Sequence, residues 1–461
     1  MGLSAAMEIG KNGLKIYQIA TEVTGENIAN VNTPGYSRQR VILENAPPTT
    51  SNGFPLGTGV KISTVERYYD GLLQQQLVNA QTTLGYDTTK SNVLQQIEPT
   101  FNEVTNDGLG AAITNFFSAW QDLTLNPTGS AERTNVMSRA QILTDNFHAV
   151  NTTLANAVTT QNDSLVPLTD SINATLKNIA QLNQQIKTTE LVSGNANEMR
   201  DQRDQLIRDL SQQIGITYTE NSDGTTDINY KDGGAALVTG GTAGSFSLTT
   251  NSSTGLYDVN VTPPGGAATL VSPTTGQLGA TLTLRDTIIP GYQAKVDALA
   301  NAIATQVNAA HNSGYDLNGD AGKDFFTGTT AATITLNTAD ITGVDKIAAS
   351  GSATLPGDNS NALALAQLQN KNIMSGSTAT FGSYFNGLVS QIGLDVQSSK
   401  NTVAQDTTFT NQLMTLRESN SGVSLDEELT NLVKYQRSYQ ASAKLITTAT
   451  EMMDTVIAMI R

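Results

Sequence analysis

The sequence predicts a mainly α fold with a β insertion: paired terminal coiled-coil helices, a long-helix rod domain and a small outer β-domain. Three observations carry that expectation. Apolar residues recur at helical spacing at both ends of the chain and again from 136 to 214. A stretch rich in Gly, Thr and Ser, with short alternating runs, interrupts them between about 216 and 284. Charged residues make up only 15% and aromatics 5% of the 461 residues, a balance that suits long helices and polar interfaces better than one large globular core.

At the N-terminal end, Ile9, Ile16 and Val23 recur every seven residues, and Leu14, Tyr17, Ile19 and Ile28 widen the stripe up to Asn30. The helix stops there for legible reasons. Asn30 or Asn32 can close it with side-chain hydrogen bonds, Pro34 forbids its continuation, and Gly35 permits a turn at positive φ. Farther along, Val136, Ala140, Leu143, Phe147, Val150, Leu154 and Ala157 keep a four-three spacing that Leu165, Leu168, Ile172, Ile179, Leu182 and Ile186 continue. Pro167 is expected to end or kink the first of these helices and begin a second. A third helix is expected from Met199 to Ile214.

The insertion follows, with alternating runs such as Thr226-Asp227-Ile228-Asn229-Tyr230, Ser245-Phe246-Ser247-Leu248 and Tyr257-Asp258-Val259-Asn260-Val261 that read as strands. Helical signal returns at 288–310, 362–368 and 381–416. From Leu425 a strict seam runs through Leu429, Leu432, Gln436, Tyr439, Ala443, Ile446, Thr450, Met453, Ile457 and Ile460. Ser424 with Glu427 reads as a capping box, and Asp426, Glu427 and Glu428 place acid at the positive end of that helix. The expected domains are therefore 1–65, an N-terminal axial helix and turn; 66–215, the first part of a long-helix domain; 216–284, the inserted β-domain; 285–416, the second part of the helical domain; and 417–461, the C-terminal axial helix.

Composition narrows the function. The formal charge of −15 and the lack of clustered Lys and Arg argue against nucleic acid or an anionic membrane as partner. With no cysteine there is no disulfide framework, thiolate zinc site or Cys nucleophile. No secretory signal peptide is visible at the N-terminus, and no apolar run approaches transmembrane length. The stretch Asp316-Leu317-Asn318-Gly319-Asp320-Ala321-Gly322-Lys323-Asp324 alternates oxygen donors like a calcium loop, but Ala321 and Thr327 stand where such a loop needs Gly and a bidentate acid. It reads as a side-chain-bonded surface turn. Asp201, Arg203, Asp204 and Arg208 read as a solvated helix face with local ion pairs rather than paired catalytic carboxylates. His148 and His311 have no motif partner for nucleophilic catalysis. No catalytic residue, cofactor or metal is expected.

Two end motifs and an interior set carry a resemblance. Asn27-Ile28-Ala29-Asn30-Val31-Asn32-Thr33-Pro34-Gly35-Tyr36-Ser37-Arg38 resembles the signature of flagellar rod, hook and hook-associated proteins. Ser421-Gly422-Val423-Ser424-Leu425-Asp426-Glu427-Glu428, with Tyr435-Gln436, Tyr439-Gln440-Ala441-Ser442-Ala443 and Ala449-Thr450-Glu451-Met452-Met453-Asp454, resembles their C-terminal motif. Asp201-Gln202-Arg203-Asp204-Gln205-Leu206, Gly276-Gln277-Leu278-Gly279-Ala280 and Leu284-Arg285-Asp286 are similar to the hook-associated protein 1 family, as are His311-Asn312-Ser313-Gly314-Tyr315-Asp316 and Gly322-Lys323-Asp324-Phe325-Phe326. The segment between Phe326 and Asp358 is too short for the extra outer domain of larger members.

The resemblance implies a structural, non-enzymatic subunit linking hook to filament. It would be exported through the flagellar type III apparatus with the help of an export chaperone and would lie outside the cell in the flagellum. Its implied partners are itself in a helical layer, hook protein below and the second hook-filament junction protein above. The expected assembly interface comprises Ile9, Ile16, Val23, Asn30, Asn32, Thr33, Pro34, Gly35 and Tyr36 at one end. At the other it comprises Leu425, Leu429, Leu432, Tyr439, Ile446, Met453, Ile457 and Ile460. A hook or rod protein of the same axial family is the alternative. A peptidoglycan hydrolase, a more distant one, would require a carboxylate or metal site in a cleft.

Overall fold

A computed structural model describes residues 2–51, 54–102 and 108–460, with the backbone alone at 51, 54–56, 193 and 460. The chain opens with α1 (Gly2–Ala29), then β1 (Gln39–Asn45), the short β2 (Thr49–Ser51) and β3 (Phe54–Leu56), and β4 (Val60–Arg67). Helices α2 (Gly71–Ile97), α3 (Leu109–Leu123), α4 (Ser130–Ser193) and α5 (Asn197–Gln213) follow. Strands β5 (Ile216–Glu220) to β11 (Thr269–Val271) lead to α6 (Gly276–Thr283), a π-helical turn at 284–288, and α7 (Ile289–His311). After two two-residue strands come α8 (Ser360–Gln367), α9 (Phe381–Ser421) and α10 (Leu425–Ile460). The expected fold class, mainly helical with small sheets and long C-terminal helices, is what the chain adopts.

Two compact units share this chain: Met1–Gly85 with Leu168–Gly276 and Asp406–Arg461, and Tyr86–Pro167 with Gln277–Gln405. In the first, hereafter the terminal unit, α1 lies antiparallel on α10, so that Gly10 meets Ile446, Tyr17 stacks on Tyr435 at 6.4 Å and Asn27 meets Glu428. Strands β1 and β4 pair antiparallel from Gln39↔Arg67 to Asn45↔Val60, with a bulge between Ile42 and Leu43. The β insertion forms a four-stranded sheet, β5-β6-β7-β8, and a three-stranded one, β11-β10-β9. Both sheets bury an apolar face, with Ile228, Tyr230, Leu237 and Val238 in the first and Phe246, Val259 and Val261 in the second. They are bound to α4 by paired amide contacts. Asn183 donates to the carbonyls of Thr226 and Gly240 and accepts from the Thr226 amide, and Asn173 bonds both polar groups of the Phe246 backbone.

In the second unit the apolar face of α3 centres the core. Phe116, Phe117 and Trp120 pack with Phe325, Phe326 and Phe381, all fully buried, and Phe117 stacks on Phe381 at 5.7 Å. Edge-on and tilted ring contacts of 5.0–6.4 Å account for the rest of the cluster, the geometry that ring quadrupoles favour.

Two local expectations are corrected. Of the expected end or kink at Pro167, the end does not occur, because α4 runs on through it to Ser193. A proline inside a helix costs about 3 kcal/mol, and Leu165, Leu168 and Ile172, buried on either side, offset that by keeping one apolar stripe continuous. The last residues of the stretch read as β are helical, since Leu278, Ala280, Leu282 and Leu284 bury as α6 and its continuation.

Candidate assembly interface

The predicted interface residues fall into two groups on the α1–α10 pair. Ile16 and Val23 are buried and Ile9 is half-buried, against Gly59. On α10, Leu432, Ile446 and Met453 are half-buried, whereas Leu425, Leu429, Tyr439 and Ile457 stay 42–54% exposed. The side chain of Ile460 lies outside the described residues. Exposed Val433, Leu445, Met452, Val456 and Met459 extend the open apolar surface. What brings the helices together was not read from the sequence. A Cβ on Gly10 would stand 2.6 Å from Ile446 Cγ1, and one on Gly13 would stand 2.6 Å from Ser442 Oγ. Two glycines one helical turn apart let the backbones approach, a feature invisible to a search for apolar periodicity.

The turn after α1 is built as its residue types require. The Asn30 side chain donates to the Glu26 carbonyl at 3.1 Å and accepts from Thr33 Oγ1 at 3.0 Å, closing the helix, while Gly35 takes φ +83°. Asn32, Thr33 and Pro34 are exposed, and Tyr36 turns inward. Its hydroxyl donates to Asn27 Oδ1 at 2.9 Å, which also accepts the Gln39 amide at 2.9 Å. Asn27 Nδ2 donates to the Gln39 carbonyl at 2.9 Å and to Glu428 Oε2 at 3.0 Å. One buried amide thus joins α1, the turn, β1 and α10. Burial raises the Tyr36 hydroxyl above its ordinary pKa, so it remains a donor.

Next to Tyr36 the contacts become ionic. Ser37 gives its amide at 2.7 Å and its hydroxyl at 2.8 Å to Asp201 on α5. Arg67 at the end of β4 bridges Asp201 at 2.6 Å and Asp204 at 2.7 Å. Arg38 reaches α10 instead, with Nε 2.7 Å from Glu428 and Nη1 2.5 Å from Glu427. The Glu427 carboxylate, read above as the capping-box partner of Ser424, is thereby engaged by the turn. Arg417 donates to the Gly35 carbonyl at 2.6 Å, and the Arg38 amide donates to the Ser421 carbonyl at 2.8 Å.

The α5 charges are therefore not a solvated face: Asp201, Arg203, Asp204 and Arg208 are each at most 6% exposed. The face that alternation reads as wet is covered by the turn, β4, Gln74 of α2 and the loop at Gly224. Each of these side chains finds a partner, although Arg203 Nε is left without a hydrogen bond and Asp204 Oδ2 has only its ion pair with Arg67. Arg203 bonds Asn183, the Gly224 carbonyl and Glu220, and Arg208 bonds Gln74 and Gln205. Burial pushes the Asp201 carboxyl up, opposed by Arg67 and by both bonds from Ser37. Burial also disfavours the Arg67 charge, but Asp204 and Asp201 outweigh it and hold the guanidinium well above its usual range. Nearby, Glu26 is pushed up to about 7 by its hydrogen bond with the Glu198 carboxyl, by burial and by the like charge.

The rejected chemistry also has definite geometry. Asp316 and Asp320 are bridged by Lys346 Nζ, 3.0 Å from each, and Asp316 Oδ1 accepts the amides of Asn318 and Asp320. Among the described residues no group of three or more His, Asp or Glu is placed to hold a metal ion. His311 is fully buried, with Nδ1 2.6 Å from the Lys323 carbonyl and Nε2 accepting the Ala348 amide at 2.9 Å, which fixes a neutral tautomer. Among the described residues no helix is long and apolar enough to cross a membrane.

Comparison with known proteins matches this arrangement part by part. The profile described as the flagellar hook-associated protein FlgK helical domain matches residues 94–326. Profiles of flagella basal body rod proteins match residues 7–36, which hold most of α1 and the turn, and, for the rod FlgEFG C-terminal region, residues 417–459, which hold α10. Flagellar hook-associated protein 1 of Bacillus subtilis is 28% identical, over 98% of this chain and 97% of its own. Its counterpart in Escherichia coli is 28% identical, over 99% of this chain and all of its own. The solved structure of the flagellar hook junction protein FlgK from Burkholderia pseudomallei superposes with a TM-score of 0.68 at 19% identity, covering 75% of this chain and all of that one. With its helical domain matched across half the chain and relatives aligned along nearly its full length, the chain belongs to the FlgK family of flagellar hook-associated proteins.

Proposed function

We propose that the chain is a structural subunit of the bacterial flagellum that joins hook to filament and assembles through its paired terminal helices. The observation that carries this reading is the incomplete cover of the α10 seam: beside α1, Leu432, Ile446 and Met453 are only half-buried, while Leu425, Leu429, Val433, Met452 and Ile457 remain exposed along the helix. Large apolar side chains left exposed along so much of a helix call for a partner. A head-to-tail contact repeated around an axis would form a helical layer of this subunit, leaving different surfaces for hook protein below and the second junction protein above. Export through the flagellar type III apparatus, chaperone binding and an extracellular location belong to the same reading.

The test uses a strain lacking the native protein and complemented with Ile446→Asp or Met453→Asp. A charge in the half-buried seam forces the pair apart or costs several kcal/mol, roughly as for other unpaired buried charges. Expected are complete hooks without filaments and no incorporation of the variant, whose isolated form keeps its helical core. Normal filaments on hooks carrying either variant would refute the proposal. Because both ends match rod-protein profiles, a hook or rod role is the second reading. It predicts that deleting the protein removes hooks as well as filaments.

A further inference from the structure

The contacts of the turn share a property that no pair of them shows alone. Asp201 binds Ser37 and Arg67, and Glu428 binds Asn27 and Arg38, so the two carboxylates have no partner in common. Yet their partners Ser37 and Arg38 are consecutive residues. Backbone bonds extend the same short segment in two more directions, since the Arg38 amide donates to the Ser421 carbonyl and the Tyr68 amide donates to the Arg38 carbonyl, each at 2.8 Å. Ser37, Asp201 and Glu428 are all buried, and Arg38 is half-buried. A dipeptide gripped in this way cannot leave one carboxylate without dragging on the other.

We propose that Asp201 and Glu428 are positioning residues that hold the turn Ser37–Arg38 from α5 and from α10 as a single latch, so that these contacts close or open together. The latch sets the register of α1 on α10 relative to α5. Directed, charge-assisted bonds suit that task because a one-residue slip would break all of them, whereas an apolar seam tolerates slippage. Opening breaks these polar bonds and leaves the aromatic core of the second unit packed, so it is a local event below global unfolding. The bearing of the latch on assembly rests on the function proposed above; the latch itself does not.

Amide exchange on the purified full chain tests the two separately. Reporters are the Arg38 and Tyr68 amides on the turn and the Glu428 amide, bonded to the Ser424 carbonyl, at the start of α10. The Phe325 amide, held by Asn308 in the second unit, serves as a control. Asp201→Asn is expected to accelerate exchange at all three reporters by a common factor, on the order of ten- to a hundredfold, although the bonds of Asp201 go to Ser37 and Arg67 rather than to α10. Glu428→Gln should do the same from the other side, and Ser37→Ala, which keeps the carboxylate, should give a smaller common factor. Should Asp201→Asn unfold the chain, the Ser37→Ala result decides. Acceleration confined to the amides beside each substitution, or reporters already unprotected in the parent chain, would overturn the latch. In cells, reduced incorporation of Asp201→Asn is expected. Normal incorporation with all reporters accelerated would leave the latch standing and sever it from assembly.

Discussion

The aromatic core of the second unit and the junction beneath the terminal helices are buried to a similar degree by opposite means. Around α3 the buried groups are Phe116, Phe117, Trp120, Phe325, Phe326 and Phe381, which gain by area and ring contact and hardly depend on direction. At the junction they are Asn27, Ser37, Asp201, Asp204 and Glu428, with Arg67 bridging the two aspartates, and these gain only when each atom faces its partner. The seam leading away from the junction is half open to solvent. Bulk cohesion and unique register are thus separated along one chain. The first region withstands motion, and the second specifies position at little net stability.

The strongest way to break this contrast is to hollow the aromatic core. Phe116→Ala or Trp120→Ala should cost about 3–5 kcal/mol, read as loss of exchange protection across α3 and a lowered midpoint for that unit. Acid should act on the same core next in size. Burial holds His311 at about 4, against an ordinary 6.5, with Arg133 adding to the lowering and Asp316 and Asp324 opposing it. The unfolded chain then takes up the proton first as pH falls. The stabilisation is complete above about 6.5 and is lost progressively towards 4, about 3 kcal/mol in all. Unfolding of the parent chain and of His311→Gln across that window checks it, because the variant should be less stable at neutral pH but flat.

On the terminal side, Gly10→Val should force α1 off Ile446 at a cost of about 1–3 kcal/mol. Exchange along α1 reads this, with the α3 amides unchanged. The smallest expected effect has the opposite pH sign to His311. Glu26, raised to about 7, favours the folded turn at acidic pH, and that contribution fades as pH climbs from about 4.5 through 7. Because the pair is partly exposed, screening keeps it small. Protection factors near Tyr36, corrected for intrinsic exchange, should fall slightly between pH 5.5 and 8 in the parent and not in Glu198→Gln. Mild acid therefore loosens one region and tightens the other.

What the sequence made legible follows from what periodicity can report. It placed the start of α10 at Leu425, α7 and α9 nearly to their ends, and the strands at 226–230, 245–248 and 257–261, because each depends on its own neighbours. It could not distinguish a wet charged face from a buried one on α5. Asp, Arg, Asp and Arg at those spacings look alike in both cases, and the deciding partner, Arg67, lies 134 residues before Asp201. Gly10 and Gly13 carry no hydrophobic signal, although their lack of a side chain sets how closely α1 approaches α10. Leu425 and Leu429 have the spacing of apolar seam positions, yet both stay exposed, because which stretch of the seam the chain itself fills is a tertiary fact. The β segment looked like an outer appendage. Its bonds to Asn173, Asn183 and Arg203 tie it to α4 and α5 of the terminal unit.

Asn27 has a consequence for how this chain can vary. Its amide gives two hydrogen bonds and takes two, the nitrogen facing a carbonyl and a carboxylate, the oxygen facing a hydroxyl and a backbone amide. Aspartate has the right shape but would turn an acceptor towards Glu428 and the Gln39 carbonyl; leucine would deprive each of the four groups of one hydrogen bond; glutamine is one methylene too long for the same four distances. No single exchange satisfies all four neighbours. Even paired with Glu428→Gln, which would supply a donor, Asn27→Asp would still turn an acceptor towards the Gln39 carbonyl and would cost the Arg38 ion pair, so replacing the amide requires a concerted change on several sides. The position behaves as a ratchet in sequence space: once the amide is installed, drift can reshape the surfaces around it far more readily than it can remove the amide itself.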